Sequence, residues 1–180
     1  LGIPEHAGDR GKDPRRTETP HRYCRIRPAH GQKRENARTM AVLGLDIGTT
    51  GSRAVLVDGD GQVLATATEP HEAFDSPNTG WAEQHPDDWW RAARHAVRRV
   101  LSSGAAAPAD VRAVGLSGQM HGAVLLDDAD VVVRPAIIWC DQRTDEQCRW
   151  LTAHVGATRL VGLVSNPALT GFTLPKLLWV

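Results

Sequence analysis

Apolar and polar positions divide this chain at Met40. From Leu1 to Thr39 apolar residues are sparse and without period, and stretches such as Asp13-Pro14-Arg15-Arg16 and His30-Gly31-Gln32-Lys33-Arg34-Glu35 offer little to bury. A segment of this kind cannot offset its chain entropy and is predicted to be disordered. After Met40 the punctuation is regular. Ala41 to Ile47 and Arg53 to Asp58 read as strands around Gly48-Thr49-Thr50-Gly51, and Asp58-Gly59-Asp60-Gly61 is a hairpin turn into a third strand, Gln62 to Glu69. An antiparallel three-stranded meander is expected.

Pro86-Asp87-Asp88 then opens a helix, since a helix N-terminus favours both proline and acids, and the helix is predicted to end near Gly104. Its apolar positions, Trp89, Ala93, Ala96, Val97, Val100 and Leu101, recur at helical spacing and face the sheet, while Arg91, Arg94, Arg98 and Arg99 form a solvated face. Val111 to Leu116 reads as a buried strand after a helical crossover, which a parallel partner requires. Ala123 to Leu126 and Val131 to Val133 read as a further hairpin around Asp127-Asp128-Ala129-Asp130, a solvated turn too short for a cation loop. Ala136-Ile137-Ile138 ends another strand, and a helix from Gln142 to His154 follows, for which Asp141 is a candidate cap. Three strands, a helix and a strand is the opening order of a ribonuclease-H-like α/β domain with a mixed sheet.

Composition narrows the function classes. With 180 residues, 41% hydrophobic and 23% charged, the chain is long enough for one globular domain with its own core. Its zero net charge conceals an asymmetry: residues 1–39 carry 10 Lys+Arg against 5 Asp+Glu, leaving 11 against 16 in residues 40–180. The interspersed acids and the absence of an amphipathic face speak against a basic arm or a transit peptide. A chain that starts at Leu1 and reaches Met40 directly before a strong strand is expected to carry an upstream reading-frame extension. The balanced charge gives no field for nucleic acid or an anionic membrane. No apolar run approaches the roughly 20 residues of a membrane span. Cys24, Cys140 and Cys148 are odd in number and lack short paired spacing with His, so neither a disulfide framework nor a zinc site is expected, and a reducing cytoplasm is.

The chemistry concentrates at two strand exits. Asp46-Ile47-Gly48-Thr49-Thr50-Gly51-Ser52 delivers one carboxylate into a turn of glycines and hydroxyls, in which Gly48 and Gly51 admit an anion to the backbone and Thr49, Thr50 and Ser52 add donors. A carboxylate beside phosphate calls for a divalent cation, so Asp46 is a candidate ligand for Mg2+, direct or through water. The same letters also make an ordinary tight turn, and they are neither a Walker loop nor a dinucleotide fingerprint. Ser117-Gly118-Gln119-Met120-His121-Gly122 stands at the second exit, where mixed sheets collect ligands. Gln119 and His121 can bond sugar hydroxyls and Met120 can pack on a carbon face, although His121 alone is equally a satisfied loop residue. Trp139 is a candidate apolar wall, with an Asp141–Arg143 ion pair as a pocket floor.

Together these segments resemble the N-terminal part of an FGGY-family carbohydrate kinase, with its actin-like ATPase fold, and within that family the xylulokinase branch. The residues that carry the resemblance are Gly44-Leu45-Asp46-Ile47-Gly48-Thr49-Thr50, Gly80-Trp81-Ala82-Glu83-Gln84 with Pro86 and Trp89-Trp90, Gly118 to Gly122, Arg134 to Trp139 with Asp141 and Arg143, and Gly171-Phe172-Thr173-Leu174-Pro175-Lys176-Leu177-Leu178-Trp179. Glycerol kinases carry Arg-Glu where this chain has Met120-His121, and gluconokinases typically follow Met-His with Ser rather than Gly.

The resemblance implies ATP- and Mg2+-dependent phosphorylation of D-xylulose to D-xylulose 5-phosphate between two closing domains. It makes Asp46 the aspartate on the phosphate and metal side, Gly48, Thr49 and Thr50 the phosphate turn, and Met120 and His121 the sugar-binding pair. It places the general-base aspartate in a glycine-rich segment beyond Val180, so residues 40–180 are expected to be the first part of the first domain and inactive alone. A homodimer of the full-length protein is left open. So are another sugar kinase of the family, of the gluconokinase, ribulokinase or glycerol kinase type, and a non-enzymatic ATP-binding or sugar-sensing domain.

Overall fold

The structure, a computed structural model, describes residues 40–180. The disorder expected for residues 1–39, and Cys24 with it, lies outside the described residues. The meander forms as its alternation requires: β1 (Ala41–Ile47), β2 (Gly51–Asp58) and β3 (Val63–Pro70) are antiparallel neighbours, with Leu43 opposite Leu56 and Asp46 opposite Arg53. Asp58 seals the β2–β3 turn, its carboxylate accepting from the amides of Asp60 and Gln62. At the start of β2 the backbone of β3 comes so close that a Cβ on Gly51 would stand 2.7 Å from the Glu69 carbonyl oxygen, so only glycine fits there.

One face of the meander is covered by α1 (Pro86–Leu101). Its N-terminus is capped by His85, whose Nδ1 accepts from the Asp87 amide at 3.3 Å, and Asp87 and Asp88 sit favourably in the first turn. Ala92, Ala93, Ala96 and Val100 are buried on the helix, and Ala96 and Val100 pack with Ala41, Leu43, Ala54, Leu56 and Ala67 of the sheet in one core cluster. Alanine on both sides lets helix and sheet approach closely. Arg99 leaves the helix to pair with Glu69 at 2.6 Å, and Arg91 pairs with Asp88.

A single 3-10 turn, Pro108–Asp110, leads into β5 (Val111–Gly118), which pairs parallel with β1 and gives the sheet order β3-β2-β1-β5. This strand differs from expectation in one respect: Val114 is 58% exposed and Leu116 76%, where the sequence reads as buried. The reason is geometric, because α1 packs mainly on β2 and β3, and β5 lies at the opposite edge of the described sheet from β3.

Beyond β5 the local signals are weaker guides. The expected hairpin from Ala123 to Val133 is reduced to a bridge between Leu126 and Val132, while Ala123 pairs instead with Ile137. Its members thus divide between two partners, and Pro135 has no N–H to extend a ladder. A small second sheet joins β4 (Glu83–Gln84) to β6 (Ala136–Ile137). The next helix, α2 (Asp145–Val155), starts three residues later than Gln142, with Thr144 in the cap position. Asp141 does not cap it, because its carboxylate is engaged elsewhere. Two helices that the sequence reading did not place, α3 (Ala157–Val164) and α4 (Thr173–Trp179), complete the described chain.

Candidate active site

The period-two alternation of strands sorts the hydroxyls and charges of the first motif onto opposite faces. Asp46 is exposed on the face of β1 away from α1, with Arg53 as its register partner on β2 and Ser117 on β5. These three line an open groove of about 320 Å³ that also includes Gly44 and Gly115. Ser52 is on the other side. It pairs with Ile47, is fully buried, and lies 2.8 Å from His71 Nε2, so it is a support of the turn and not a donor to a bound anion. Gly48 also differs from expectation, since its amide closes the turn on the Gly51 carbonyl at 3.0 Å. Thr50 remains exposed at the tip.

Thr49 joins the turn to the second motif. Its hydroxyl accepts from Trp139 Nε1 at 3.0 Å and donates to Gln119 Oε1 at 3.4 Å. Gln119 Nε2 in turn donates to Gln84 Oε1 at 3.1 Å, and Gln84 Nε2 donates to the Thr49 carbonyl at 2.9 Å. Trp89 Nε1 donates to the same Gln84 oxygen at 3.1 Å, and the Gln119 amide donates to the Ile47 carbonyl at 2.8 Å. Each amide atom of Gln84 and Gln119 therefore has a partner, a condition under which a polar network fixes one geometry. Gln84 and Trp89 stand in the stretches that carry the family resemblance and Arg53 opens a predicted strand, but the sequence reading assigns none of the three a site role. Parity across the first hairpin would have found Arg53, because it stands opposite Asp46; nothing local marks the other two.

The remaining candidates separate. Met120 is 67% exposed, whereas the His121 ring lies 4.4 Å from that of Phe172 and faces an apolar cavity of about 220 Å³ walled by α2, α3 and α4. His121 has φ 63°, a left-handed conformation uncommon outside glycine, in which histidine is among the better-tolerated side chains. Trp139 is 47% exposed, so its ring is open while its N–H is held by Thr49.

Asp141 and Arg143 do form an ion pair, but beneath the surface. Asp141 is fully buried; its Oδ2 accepts from Arg143 Nη2 at 2.7 Å and from the Ala82 amide at 2.6 Å, and its Oδ1 accepts from Arg143 Nε at 2.9 Å. The Arg143 side chain is also buried, with Nη1 2.6 Å from Glu83 Oε1 and its guanidinium 3.7 Å from the centre of the Trp81 ring. Arg134 reaches the same Glu83 oxygen at 2.5 Å. Burial pushes the Asp141 carboxyl upward, and the Arg143 hydrogen bonds, the amides of Ala82 and Arg143 and the guanidinium charge outweigh it, leaving the group below its usual range. Neither residue is placed to touch a ligand directly. They hold Gly80–Gln84 against Ile138–Arg143, and so carry Gln84 and Trp139 to their positions.

The groove's donor set fits a hard cation and an anion together: a carboxylate oxygen from Asp46, a guanidinium from Arg53 and a hydroxyl from Ser117. No group of three or more His, Cys, Asp or Glu side chains is assembled for a metal among the described residues, so a cation here would draw most of its ligands from water and from the anion. No helix among them is long and apolar enough to cross a membrane.

Comparison with known proteins places this geometry. Residues 41–180 match the N-terminal domain of the FGGY family of carbohydrate kinases. The xylulose kinase of Escherichia coli (strain K12) is 41% identical over 138 residues, covering 77% of this chain and 28% of that protein. A crystal structure of xylulose kinase from Rhodospirillum rubrum superposes with a TM-score of 0.70 at 34% identity, covering 77% of this chain and 28% of the other. A glycerol kinase of Chloroflexus aggregans is 34% identical over 137 residues, 76% of this chain and 27% of its own length. The matched region thus spans under a third of each of these relatives. The mixed sheet is that of actin-like ATPase-fold sugar kinases, and the chain belongs to the FGGY family of carbohydrate kinases through its N-terminal domain.

Proposed function

We propose that the protein carrying this domain transfers the γ-phosphoryl group of ATP, with Mg2+, to D-xylulose, giving ADP and D-xylulose 5-phosphate. The observation that carries this reading is the closed network Trp139–Thr49–Gln119–Gln84–Trp89, which ties the turn that follows Asp46 and its groove to a segment suited to a polyol. The names of the two xylulose kinases, at 41% and 34% identity, support the sugar and a phosphoryl-transfer reaction.

Phosphoryl transfer depends chiefly on positioning and charge neutralisation. In this reading Asp46 holds Mg2+ directly or through water, Arg53 and Ser117 face phosphate oxygens, and the turn at Gly48, Thr49 and Thr50 sets their distance from the sugar. Bound Mg2+ would neutralise phosphate charge. Gln119, Met120 and His121 meet the sugar hydroxyls and carbon face, and the open Trp139 ring supplies a wall. The proton of the attacking hydroxyl does not go to Asp141, which is buried and paired with Arg143. Residues 40–180 form one wall of the cleft.

The test is a panel of D-xylulose, D-ribulose, gluconate and glycerol, with ADP release followed by a coupled assay. D-xylulose is expected to show kcat/KM at least about tenfold above the others, a difference of about 1.4 kcal/mol in transition-state binding. Preference for glycerol or gluconate would transfer the protein to another branch of the family. No turnover of any of the four would overturn the kinase reading.

A further inference from the structure

The segment Gly171–Trp179 is one of the stretches that carry the family resemblance, yet nothing in the proposed reaction uses it. Within it Lys176 is fully buried, an uncommon place for an ammonium. Its Nζ donates to the His121 carbonyl at 2.7 Å and to the Gly171 carbonyl at 2.8 Å, joining two stretches 50 residues apart in the chain (171 minus 121). No carboxylate pairs with it directly among the described residues; burial brings the pKa of its ammonium down to about 8, with smaller effects from the charges of Asp141, Cys140 and Arg143. An aliphatic side chain would fill the same space without that desolvation. What lysine adds is a grip on two carbonyls.

Both gripped peptides adjoin sugar-side candidates. The His121 carbonyl belongs to the residue held at φ 63°, and the Phe172 ring, next to Gly171, packs 4.4 Å from the His121 ring at 60°. Gly171 itself is pressed on Trp139, where a Cβ would stand 2.6 Å from the Trp139 carbonyl oxygen. Thr170 continues the tie, donating from Oγ1 to Gln142 Oε1 at 2.7 Å and accepting at its carbonyl from Thr144 Oγ1 at 3.2 Å. One lysine thus fixes the spacing between the His121 loop and the Trp139 loop.

We propose that Lys176 is a positioning residue for sugar binding: from beneath the pocket it locks the His121 peptide and the Gly171–Phe172 turn into one brace. The proposal rests on the reading of His121 and Trp139 as sugar contacts. Its test is Lys176→Met in the protein carrying this domain, with steady-state kinetics and the carbon–proton spectrum of the His121 ring, assigned by its loss in His121→Gln. The KM for D-xylulose is expected to rise about tenfold or more, with kcat and the KM for ATP changing less than about threefold. The His121 ring resonances should leave the position that Phe172 stacking gives them. An unchanged sugar KM, or sugar KM, ATP KM and kcat all worsening together, would overturn the proposal. Should Lys176→Met fail to fold, Phe172→Leu removes the other half of the brace and must show the same sugar-selective rise; no rise there sinks the idea. If the wild-type protein turns over no sugar, the functional reading fails by itself, and the His121 spectrum still decides whether Lys176 sets the loop.

Discussion

Replacing Asp46 by Asn is expected to lower kcat/KM for sugar phosphorylation by on the order of 10²–10³-fold, the scale on which one preorganised electrostatic group contributes to transition-state stabilisation. The melting temperature should hardly move. Asp46 is exposed, and no hydrogen bond or ion pair engages its carboxylate among the described residues, so the folded state does not depend on its charge. The substitution keeps shape and removes only the negative charge, which isolates the proposed role at the metal. Raising Mg2+ should recover part of the activity if the loss lies in metal affinity. Retention of more than about a third of wild-type kcat/KM at limiting Mg2+ would remove Asp46 from the reaction.

Arg143→Met should have the largest effect on stability. The guanidinium is buried between Asp141 and Glu83 and lies over Trp81, so truncation leaves the buried Asp141 carboxylate without its direct counter-charge, while Glu83 keeps Arg134. Breaking a buried pair from one side costs roughly 3–5 kcal/mol, although the intact pair need not be worth that much relative to an apolar substitute. For a domain of this size the loss corresponds to a fall in melting temperature of about 10–20 °C. Its pH dependence identifies the cause. In the wild type the Asp141 carboxyl is held below its ordinary value, so its contribution is present above the unfolded pKa of about 4 and is lost as pH falls through the folded value. In the variant burial acts on Asp141 without the guanidinium and pushes the carboxyl up, so protonation relieves the variant and weakens the wild type. The stability gap should therefore narrow as the pH is lowered from 7 towards 3. A gap that stays constant over that range would mean that lost packing, not the stranded charge, is responsible.

Where the determinants were local, the sequence was readable. The meander follows from alternation and its two glycine turns, and α1 from Pro86, the following acids and a regular apolar stripe. Val111 to Leu116 is recognisable as a parallel strand because a helix precedes it, but its exposure depends on which strands α1 covers. The site was legible as two chemical neighbourhoods and not as a geometry. Ser52 shows the difference: as a hydroxyl beside a glycine turn it reads as an anion donor, and only its pairing with Ile47 puts it in the core. Asp141 is similar, since an acid a few residues before a helix reads as a cap until Arg143 and the Ala82 amide claim it. The later helices were obscured by composition. The α3 sequence Ala-Thr-Arg-Leu-Val-Gly-Leu-Val mixes β-branched residues with a glycine and carries no side-chain cap. The brace at Lys176 joins carbonyls, which no sequence pattern records.

In the proposed reaction the turn beside Asp46 and the sugar segment act as one hydrogen-bonded body, joined where Thr49 and Gln119 meet. Coupling between two sites is reciprocal, so nucleotide bound at the turn must alter sugar affinity if the joint transmits. The decisive measurement is the calorimetric affinity of the protein carrying this domain for D-xylulose, with and without a saturating non-hydrolysable ATP analogue and Mg2+, in the wild type and in Gln119→Leu. Wild-type affinity should differ at least about fivefold between the two conditions, and the difference should fall below about twofold in the variant. Equal sugar affinity with and without nucleotide in the wild type would contradict the claim.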